Sequence, residues 1–454
     1  MKAKVIILAA GEGKRMRSSL AKPLLPVCGR PMLEWVMEAA SVLDTDPVVV
    51  VGHGREQLIN KYPHLTFAVQ DPPKGTGHAV MMAEPWLEDD ATAVILAGDT
   101  PLIPKELLQQ MTETMHARGC AGTLLVAELE DPSGYGRILT DFDGHVTGIV
   151  EHKDATEEQR KIRLINTLCC CFRGDLLKKY LHRLTNHNIQ GEYYLTDVVG
   201  MLVQDGYTVG YTLCPDPDAA MGVNDRVQLA NAEKAVRKRI NTRWMLEGVT
   251  MIDPERICIG PEVILEKDTV IYPDNILEGR TTVGRGCILY PGSHLKDTRI
   301  GDEVQVRAAV TDGAVIGNRT MVGPFAYLRP GTVIGEECRI GDFVEVKNST
   351  LGDGTKLSHL SYVGDADVGK DVNIGCGVVF SNYDGTNKYH TTVEDGVFIG
   401  GNTNLVAPVT LGEGAYTAAG STITEDVPPR ALAIARTRQV NKTGWVSRYT
   451  RKEH

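Results

Sequence analysis

Two stretches of this sequence carry side chains whose types and spacing could do chemistry. The first is "LAAGEGKRM", Leu8 to Met16, in which an apolar run from Val5 empties into Gly11, Gly13, Lys14 and Arg15. Small residues let backbone N–H groups approach a ligand and the cations that follow can neutralise it, so an anion such as a phosphate is the expected occupant. The spacing is not the dinucleotide fingerprint, because Met16 stands where the third glycine would be. Nor is it a Walker loop, since a single Glu12 separates the two glycines. The second stretch is "KLSHLSYVGD", where His359 stands among polar neighbours. Taken alone, that imidazole reads either as a hydrogen-bonded structural group or as a proton acceptor.

The elements that must position these groups differ between the two halves of the chain. From the start to about Leu229, short aliphatic runs such as "KVIILAA", "PVVVVG" and "AVILAG" alternate with helical patterns such as "MLEWVMEAASVL" and "KELLQQMTETM". That rhythm predicts a parallel or mostly parallel sheet covered by helices. Open sheets of this kind bind ligands at the carboxyl ends of their strands, where Gly11 and Asp99 of "AVILAGDTP" fall. Asn224 to Leu246 lacks Gly and Pro and reads as one long connecting helix. On local grounds alone Asp99 is a turn residue and Asn224 a helix N-cap.

After that helix the texture changes. Ile259, Leu265, Ile271, Leu277, Val283, Leu289 and Leu295 recur every six residues, and a second register runs through Ile316, Val322, Leu328, Ile334, Ile340 and Val346. At the chain's 42% hydrophobic frequency, seven consecutive hits from a chosen start have a chance of roughly 0.002, so the period is real. The register slips near Leu351 and Val368 and resumes at Val393, Ile399, Leu405, Leu411 and Ile423. A six-residue period with glycine beside many of the aliphatics suits short extended faces joined by tight turns, stacked as a parallel β-helix. The polar insertion "SNYDGTNKYHTT" between Phe380 and Val393 maps to a loop on one face of such a solenoid and is a candidate site.

Composition sets the outer bounds. At 454 residues the chain is long enough for two or three domains. A net charge of -10 argues against broad nucleic-acid or anionic-membrane binding and makes any cationic cluster a local site. No apolar run approaches a membrane span, and "VIILAA" after Lys2 and Lys4 is too short for a signal peptide, so a cytoplasmic protein is expected. Ten cysteines occur without a C-x-x-C pair, and Cys169, Cys170 and Cys171 are adjacent in a strand-like run. Zinc and disulfide frameworks are not expected.

"LAAGEGKRM" followed by "KPLLPVCGRPML" resembles the signature of sugar-1-phosphate nucleotidyltransferases. The hexapeptide half narrows the resemblance to the bacterial bifunctional family that joins N-acetylglucosamine-1-phosphate uridyltransferase to glucosamine-1-phosphate N-acetyltransferase, and it covers essentially all of the chain. The resemblance implies a nucleotide site in which Leu8, Ala9, Ala10 and Gly11 meet the base and ribose of UTP while Arg15 and Lys22 neutralise its phosphates. It further implies Gln70, Gly75 and Thr76 of "QDPPKGTGHA" at the pyrimidine, and a magnesium ion held by Asp99 and Asn224, hard oxygen ligands suited to a hard cation. Gly136 of "GYGRI", Glu151 of "IVEHKDAT", Asn166 of "LINT", and Tyr194 and Thr196 of "GEYYLTD" resemble the N-acetylglucosamine contacts. Ala97 occupies a place where relatives carry tyrosine. No Ser-His-Asp or Cys-His nucleophile is present in this half and none is needed, because the sugar phosphate attacks the α-phosphorus directly.

In the second half the same resemblance makes His359 the general base of acetyl transfer from acetyl-CoA. Arg329 of "YLRPG" and Lys347 of "EVKN" match sugar-phosphate cations, against the alternative of a solvated flank of the solenoid, and Tyr362 and Asn373 match sugar contacts. Asn382 and Tyr383 match residues near the thioester, and Cys376, Gly401, Ala419 and Arg436 the acetyl-CoA site, Cys376 and Gly401 standing where some relatives carry alanine and serine. The expected architecture is an α/β nucleotidyltransferase domain, Rossmann-like with a mostly parallel sheet, over 1–226, a linker helix over 227–247, and a left-handed parallel β-helix with a C-terminal tail over 248–454. A homotrimer with acetyl-CoA sites between subunits is implied, acting on small molecules, without nucleic acid and without a membrane span. Two other readings use the same residues: a nucleotidyltransferase whose β-helix only trimerises, and a non-catalytic assembly subunit. Arg15, Lys22, Asp99 and Asn224 speak against the second, and His359 with the insertion against the first.

Overall fold

A computed structural model describes residues 2–142 and 144–445; the end of the expected C-terminal tail, from 446 on, lies outside them. The chain divides into two compact units, 1–236 and 237–454.

The first unit is built on a nine-stranded sheet. In chain order its strands are β1 (Ala3–Ala9), β2 (Val48–Val51), β3 (Thr66–Val69), β4 (Thr92–Ala97), β5 (Gly122–Glu128), β6 (Arg137–Thr140), β7 (Val146–Val150), β8 (Leu164–Arg173) and β9 (Val209–Leu213). Their spatial order is β9-β5-β8-β4-β1-β2-β3, with β6 pairing β8 and β7 at the side. Pairings β1–β2, β1–β4, β2–β3 and β5–β9 are parallel, whereas β8 runs antiparallel to both β4 and β5. The mostly parallel sheet expected from the sequence is therefore interrupted by one long strand, the one carrying Cys169 to Cys171, and carries the antiparallel pair β6–β7 at its side.

Alternation along the buried strands sends successive side chains to opposite faces. Val5, Ile7, Val49, Val51, Val94 and Leu96 join Leu33, Val36, Leu108 and Met111, from the helices Met32–Ala40 and Lys105–Ala117, in one core. Ile6, Val48, Val50, Ala93 and Ile95 join Ala79, Val80, Leu177, Val198 and Leu202, from helices on the other face, in a second. Each aliphatic side chain so buried contributes about 1.5–3 kcal/mol, which fixes the sheet and with it the mouths of β1 and β4, after which come Gly11 and Asp99. The long helix spans Arg226–Leu246. Its cap is Asp225, whose Oδ1 accepts from Gln228 N at 2.9 Å. The local reading of Asn224 as the N-cap is thus wrong by one residue, and the amide of Asn224 is left for other work.

The second unit is a left-handed β-helix of short parallel strands stacked in three ladders. One ladder pairs Val270 with Ile288, Gln305, Met321, Arg339, Lys356, Asn373, Phe398 and Tyr416 in succession. A second runs through Ile276, His294, Val310, Tyr327, Glu345, Tyr362, Val379 and Asn404, and a third through Ile264, Thr282, Arg299, Val315, Val333, Thr350, Asp367 and Thr392. The residue after each ladder position points inward, so that Ile271, Leu277, Leu289, Leu295, Val306, Leu328, Ile340, Val346, Leu357 and Leu405 are fully buried. All but Val306 and Leu357 are hexad aliphatics of the sequence, those two filling places between its registers, and the stacked rows are the core. Between the first two ladders the backbone turns through left-handed residues in register, Phe325 (φ 59°), Phe343 (φ 56°), Leu360 (φ 33°), Gly377 (φ 72°), Asn402 (φ 55°) and Gly420 (φ 76°). The strands Arg339–Lys347 and Lys356–Gly364 run continuously around this corner.

Candidate active sites

In the first unit the mouths of β1 and β4 open into a cavity of 920 Å³. Leu8, Ala9, Ala10, Gly11, Arg15, Lys22, Gln70, Gly75, Thr76, Asp99 and Asn224 all line it, as does Ala97. Glycine is required at Gly75, whose φ is 102° and where a Cβ would lie 2.6 Å from the Tyr193 carbonyl oxygen. Its backbone is thereby seated between the residues preceding Tyr194 and the cavity.

Within the cavity Lys22 Nζ forms an ion pair with Asp99 and donates to Asn224 Oδ1 at 2.9 Å. The Asn224 amide is oriented by its own Nδ2, which donates to the Gly222 carbonyl at 3.1 Å and so turns Oδ1 toward Asp99. A carboxylate and an amide oxygen thus converge on one cation, a donor set that fits a hard divalent ion. Among the described residues Arg15 has no such pair; it is exposed and lines the cavity, while Lys14 pairs with Glu12 at 3.0 Å on the surface.

Gly136, Glu151, Asn166, Tyr194 and Thr196 do not line this cavity but form a cluster beside it. Thr196 Oγ1 donates to Glu151 Oε1 at 3.1 Å, and a Cβ on Gly136 would stand 3.4 Å from the same carboxylate. Asn166 N donates to the Gly136 carbonyl at 2.9 Å, and Tyr194 OH to Asp154 Oδ2 at 3.3 Å. Burial pushes the Glu151 carboxyl above its usual range, with Asp154, Asp197 and Glu192 adding to the effect and the Thr196 hydroxyl opposing it. The cluster borders the cavity through Leu168 and Glu192, which line it. Leu168 sits at φ 70° in the bulge that breaks the β5–β8 register between Asn166 and Cys170. Periodicity carries no sign of that bulge, so Leu168 was not legible in the sequence; Glu192 was also missed, although it stands inside the "GEYYLTD" stretch from which only Tyr194 and Thr196 were taken.

In the second unit the expected residues other than Asn373 gather along one corner and one face. His359 is exposed, and its Nδ1 lies 2.7 Å from Asp342 Oδ1, its register partner in the preceding coil. This hydrogen bond holds the Asp342 carboxyl below its usual range. A carboxylate on Nδ1 fixes the tautomer with its proton there and leaves Nε2 free to accept one. The following coils continue the same corner: Gly377 N donates to the Leu360 carbonyl at 2.8 Å, Asn402 N to that of Cys376 at 2.7 Å, and Gly420 N to that of Gly401 at 2.9 Å. Cys376, Gly401 and Ala419 therefore stand in a column on from His359, and the Arg436 stem packs 3.7 Å from where a Gly420 Cβ would be.

Past His359 on the same strand lies Tyr362, whose ring covers Gly364. Arg329 donates to Glu345 at 2.7 Å, and Glu345 is the register partner of Tyr362. Lys347, one coil on from Arg329, has its ammonium pushed below its usual range chiefly by Lys388, with burial and Arg329 adding to it and Asp365 opposing. Asp365 is shared by Asn348 and Asn382, and despite partial burial these donors keep its carboxyl below the usual range. The insertion is folded on itself: Tyr383 bridges to Lys388, and Asp384 accepts from the backbone N–H groups of Thr386 and Asn387 at 2.8 and 2.7 Å. Asn373 lies on the first ladder beside Lys356, off the face that holds Tyr362. Asp342 escaped the sequence reading because it stands seventeen residues before His359, in the preceding coil. Asp365 ends the "KLSHLSYVGD" stretch and Lys388 stands in the polar insertion, but their partners Asn348, Asn382 and Lys347 come from other coils or from across the loop.

Comparison with known proteins places both halves. The description "MobA-like NTP transferase domain" matches residues 5–187, and "Bacterial transferase hexapeptide (six repeats)" matches 313–348 and 390–425. The chain is 49% identical over 451 residues to "Bifunctional protein GlmU" of Geobacillus thermodenitrificans, covering 99% of this chain and 98% of that one. It is likewise 49% identical to the Brevibacillus brevis protein of that name and 48% to that of Clostridium beijerinckii, each covering 98% of both chains.

Proposed function

This chain belongs to the GlmU family, and from that premise we propose which of its side chains perform each half of the family's work. The protein is a bifunctional enzyme that acetylates glucosamine-1-phosphate with acetyl-CoA and couples the resulting N-acetylglucosamine-1-phosphate to UTP, giving UDP-N-acetylglucosamine and pyrophosphate for cell-wall precursors. The division of labour we propose follows the boundaries 1–226, 227–247 and 248–454.

In the first unit the uracil and ribose lie against Leu8 to Gly11, Gln70, Gly75 and Thr76, and the sugar against Gly136, Glu151, Asn166, Tyr194 and Thr196. Arg15 and Lys22 offset the charge of the triphosphate. Asp99 and Asn224 hold magnesium, which when bound supplies divalent charge to the nucleotide and sugar phosphates. An oxygen of the sugar phosphate forms the new bond to the α-phosphorus while the bond to the β-phosphate breaks and pyrophosphate departs, so the protein's contribution is alignment and charge neutralisation.

In the second unit Arg329, Lys347 and Lys388 receive the sugar phosphate, and Tyr362 meets the sugar; Asn373, on the other ladder, is not placed beside them. The mutual repulsion of Lys347 and Lys388 is relieved by an anion placed between them. The 2-amine attacks the thioester carbonyl as His359 Nε2 takes its proton; the C–N bond forms, the C–S bond breaks, and the coenzyme leaves as the thiolate and is reprotonated. Asn382 and Tyr383 face the developing oxyanion, and Cys376, Gly401, Ala419 and Arg436 line the coenzyme's path. The observation that carries this reading is the Asp342–His359 pair at the head of that column. Following free thiol and pyrophosphate separately, with His359 or Asp99 replaced, tests it.

We also propose a homotrimer that completes the acetyl-CoA site between subunits, and a cytoplasmic location, where both co-substrates are made. The exposed stack of Phe325 on Phe343, centroids 5.5 Å apart, and the exposed Leu360 on the His359 corner support an apposed partner.

A further inference from the structure

The "GTGHA" histidine has no part in the chemistry above, yet it touches the residue assigned to the base. Gln70 is 3% exposed and its backbone N–H is tied to the Val51 carbonyl at 2.8 Å. Its Nε2 donates to the Gly75 carbonyl at 2.9 Å and lies 3.1 Å from His78 Nδ1. A backbone carbonyl can only accept, so the nitrogen of the amide is the atom that faces Gly75. Both Nε2 hydrogens are then committed, one to Gly75 and one to His78, and His78 Nδ1 must be the acceptor. Among the described residues no donor is paired with Oε1, and Gln70 lines the nucleotide cavity.

We infer that His78 is a specificity-determining positioning residue, which locks the Gln70 amide with its oxygen toward the cavity and so makes the pocket select a uracil edge over a cytosine edge. The inference rests on the reading of Gln70 as the residue that meets the base. The chemistry is a matter of one hydrogen. Uracil N3 carries a proton and donates to an amide oxygen, whereas cytosine N3 is a lone pair that an amide oxygen repels and an amide nitrogen would welcome. A glutamine free to flip would tolerate both; one pinned by two acceptors cannot present its nitrogen without facing two oxygen or nitrogen lone pairs with its own oxygen. The cost of such buried, mispaired polar groups is what lets hydrogen-bonding sites reject analogues. Two features keep His78 in the accepting form at neutral pH: burial and the nearby Lys74 ammonium both push its imidazole below the usual range. Its place in the helix Thr76–Ala83, with the ring 6.3 Å from that of Tyr193, holds Nδ1 on Gln70.

The test compares UTP with CTP as nucleotide donor to N-acetylglucosamine-1-phosphate in the full-length protein. His78→Leu is expected to lower the UTP:CTP ratio of kcat/KM about tenfold, equivalent to about 1.4 kcal/mol, by a gain with CTP together with a loss with UTP. His78→Phe, which fills the space without an acceptor, should do the same, and His78→Asn, which restores an acceptor oxygen, should return the ratio to within about twofold of the parent. Acetyl transfer in each variant reports that the chain is folded. An unchanged ratio in folded His78→Leu and His78→Phe, with Gln70→Leu collapsing it, overturns the role of His78 and leaves Gln70 at the base. An unchanged ratio in Gln70→Leu overturns the assignment of Gln70 itself, and this inference with it.

Discussion

Asp342 and His359 face each other across adjacent coils of the β-helix, carboxylate to imidazole at 2.7 Å, at a corner where both strands pass through without a break. The carboxylate orients the ring and holds its Nδ1 proton, so it acts on the reaction through His359 and not on the substrate.

Asp342→Asn keeps the shape but removes the charge. Acetyl transfer is expected to fall about ten- to a hundredfold in kcat, a fraction of the 10²–10⁴ that a general base supplies, with the KM for glucosamine-1-phosphate little changed. Steady-state kinetics check this, and uridylyl transfer by the same preparation should be normal. Because the carboxyl is held below its usual range, its orienting charge is present above that range and is lost only in acid, so the parent profile near neutrality carries no limb from Asp342.

Lys22 pairs with both residues proposed to hold magnesium. Lys22→Gln should therefore bind Mn²⁺ about fivefold more tightly in the absence of nucleotide, the worth of an ion pair of about 1 kcal/mol, while uridylyl transfer slows. Calorimetric titration with MnCl₂ alone separates the two effects. Weaker Mn²⁺ binding would place Lys22 among the groups that assemble the metal site.

Glu151 is raised above the ordinary carboxyl value of 4.5, by burial first and by neighbouring acids second. A raised carboxyl is ionised only at higher pH, so its capacity to accept a sugar hydroxyl is complete above the raised value and is lost as pH falls through that raised value, before 4.5 is reached. The expected kcat/KM for N-acetylglucosamine-1-phosphate declines on the acid side earlier than a free glutamate would dictate, and Glu151→Gln flattens that limb at a reduced rate. A pH profile of both proteins at saturating UTP is the check.

The exposed corner of Phe325, Phe343 and Leu360 should be covered in solution. Light scattering is expected to give three times the chain mass, and Phe343→Asp should shift it toward the single chain with a loss of acetyl transfer and not of uridylyl transfer.

Much of this architecture was legible in the sequence for a physical reason: a β-helix repeats one packing environment, so Leu277, Leu289 and Leu295 declare their inward position by period alone. The strand ends at Gly11 and Asp99 were legible because an open sheet exposes its ligands there. What could not be read lies between segments. Nothing local distinguishes Asp225 from Asn224 as the cap, and only the folded loop turns Asn224 Oδ1 toward Asp99. The antiparallel course of β8 and its bulge at Leu168 depend on pairing with two distant strands. Asp342 and Lys388 become partners of His359 and Lys347 only once the coils stack and the insertion folds back.

The most direct test of two separate active sites in one chain is the product balance of His359→Ala, supplied with UTP, glucosamine-1-phosphate, acetyl-CoA and magnesium, with free thiol and pyrophosphate followed separately. The expected result is a loss of thiol release by about two to four orders of magnitude, a matching loss of pyrophosphate, and full recovery of pyrophosphate alone when N-acetylglucosamine-1-phosphate is added. Near-normal thiol release would return His359 to a structural role, and failure of the added sugar to restore pyrophosphate in a folded variant would contradict the separation of the two sites.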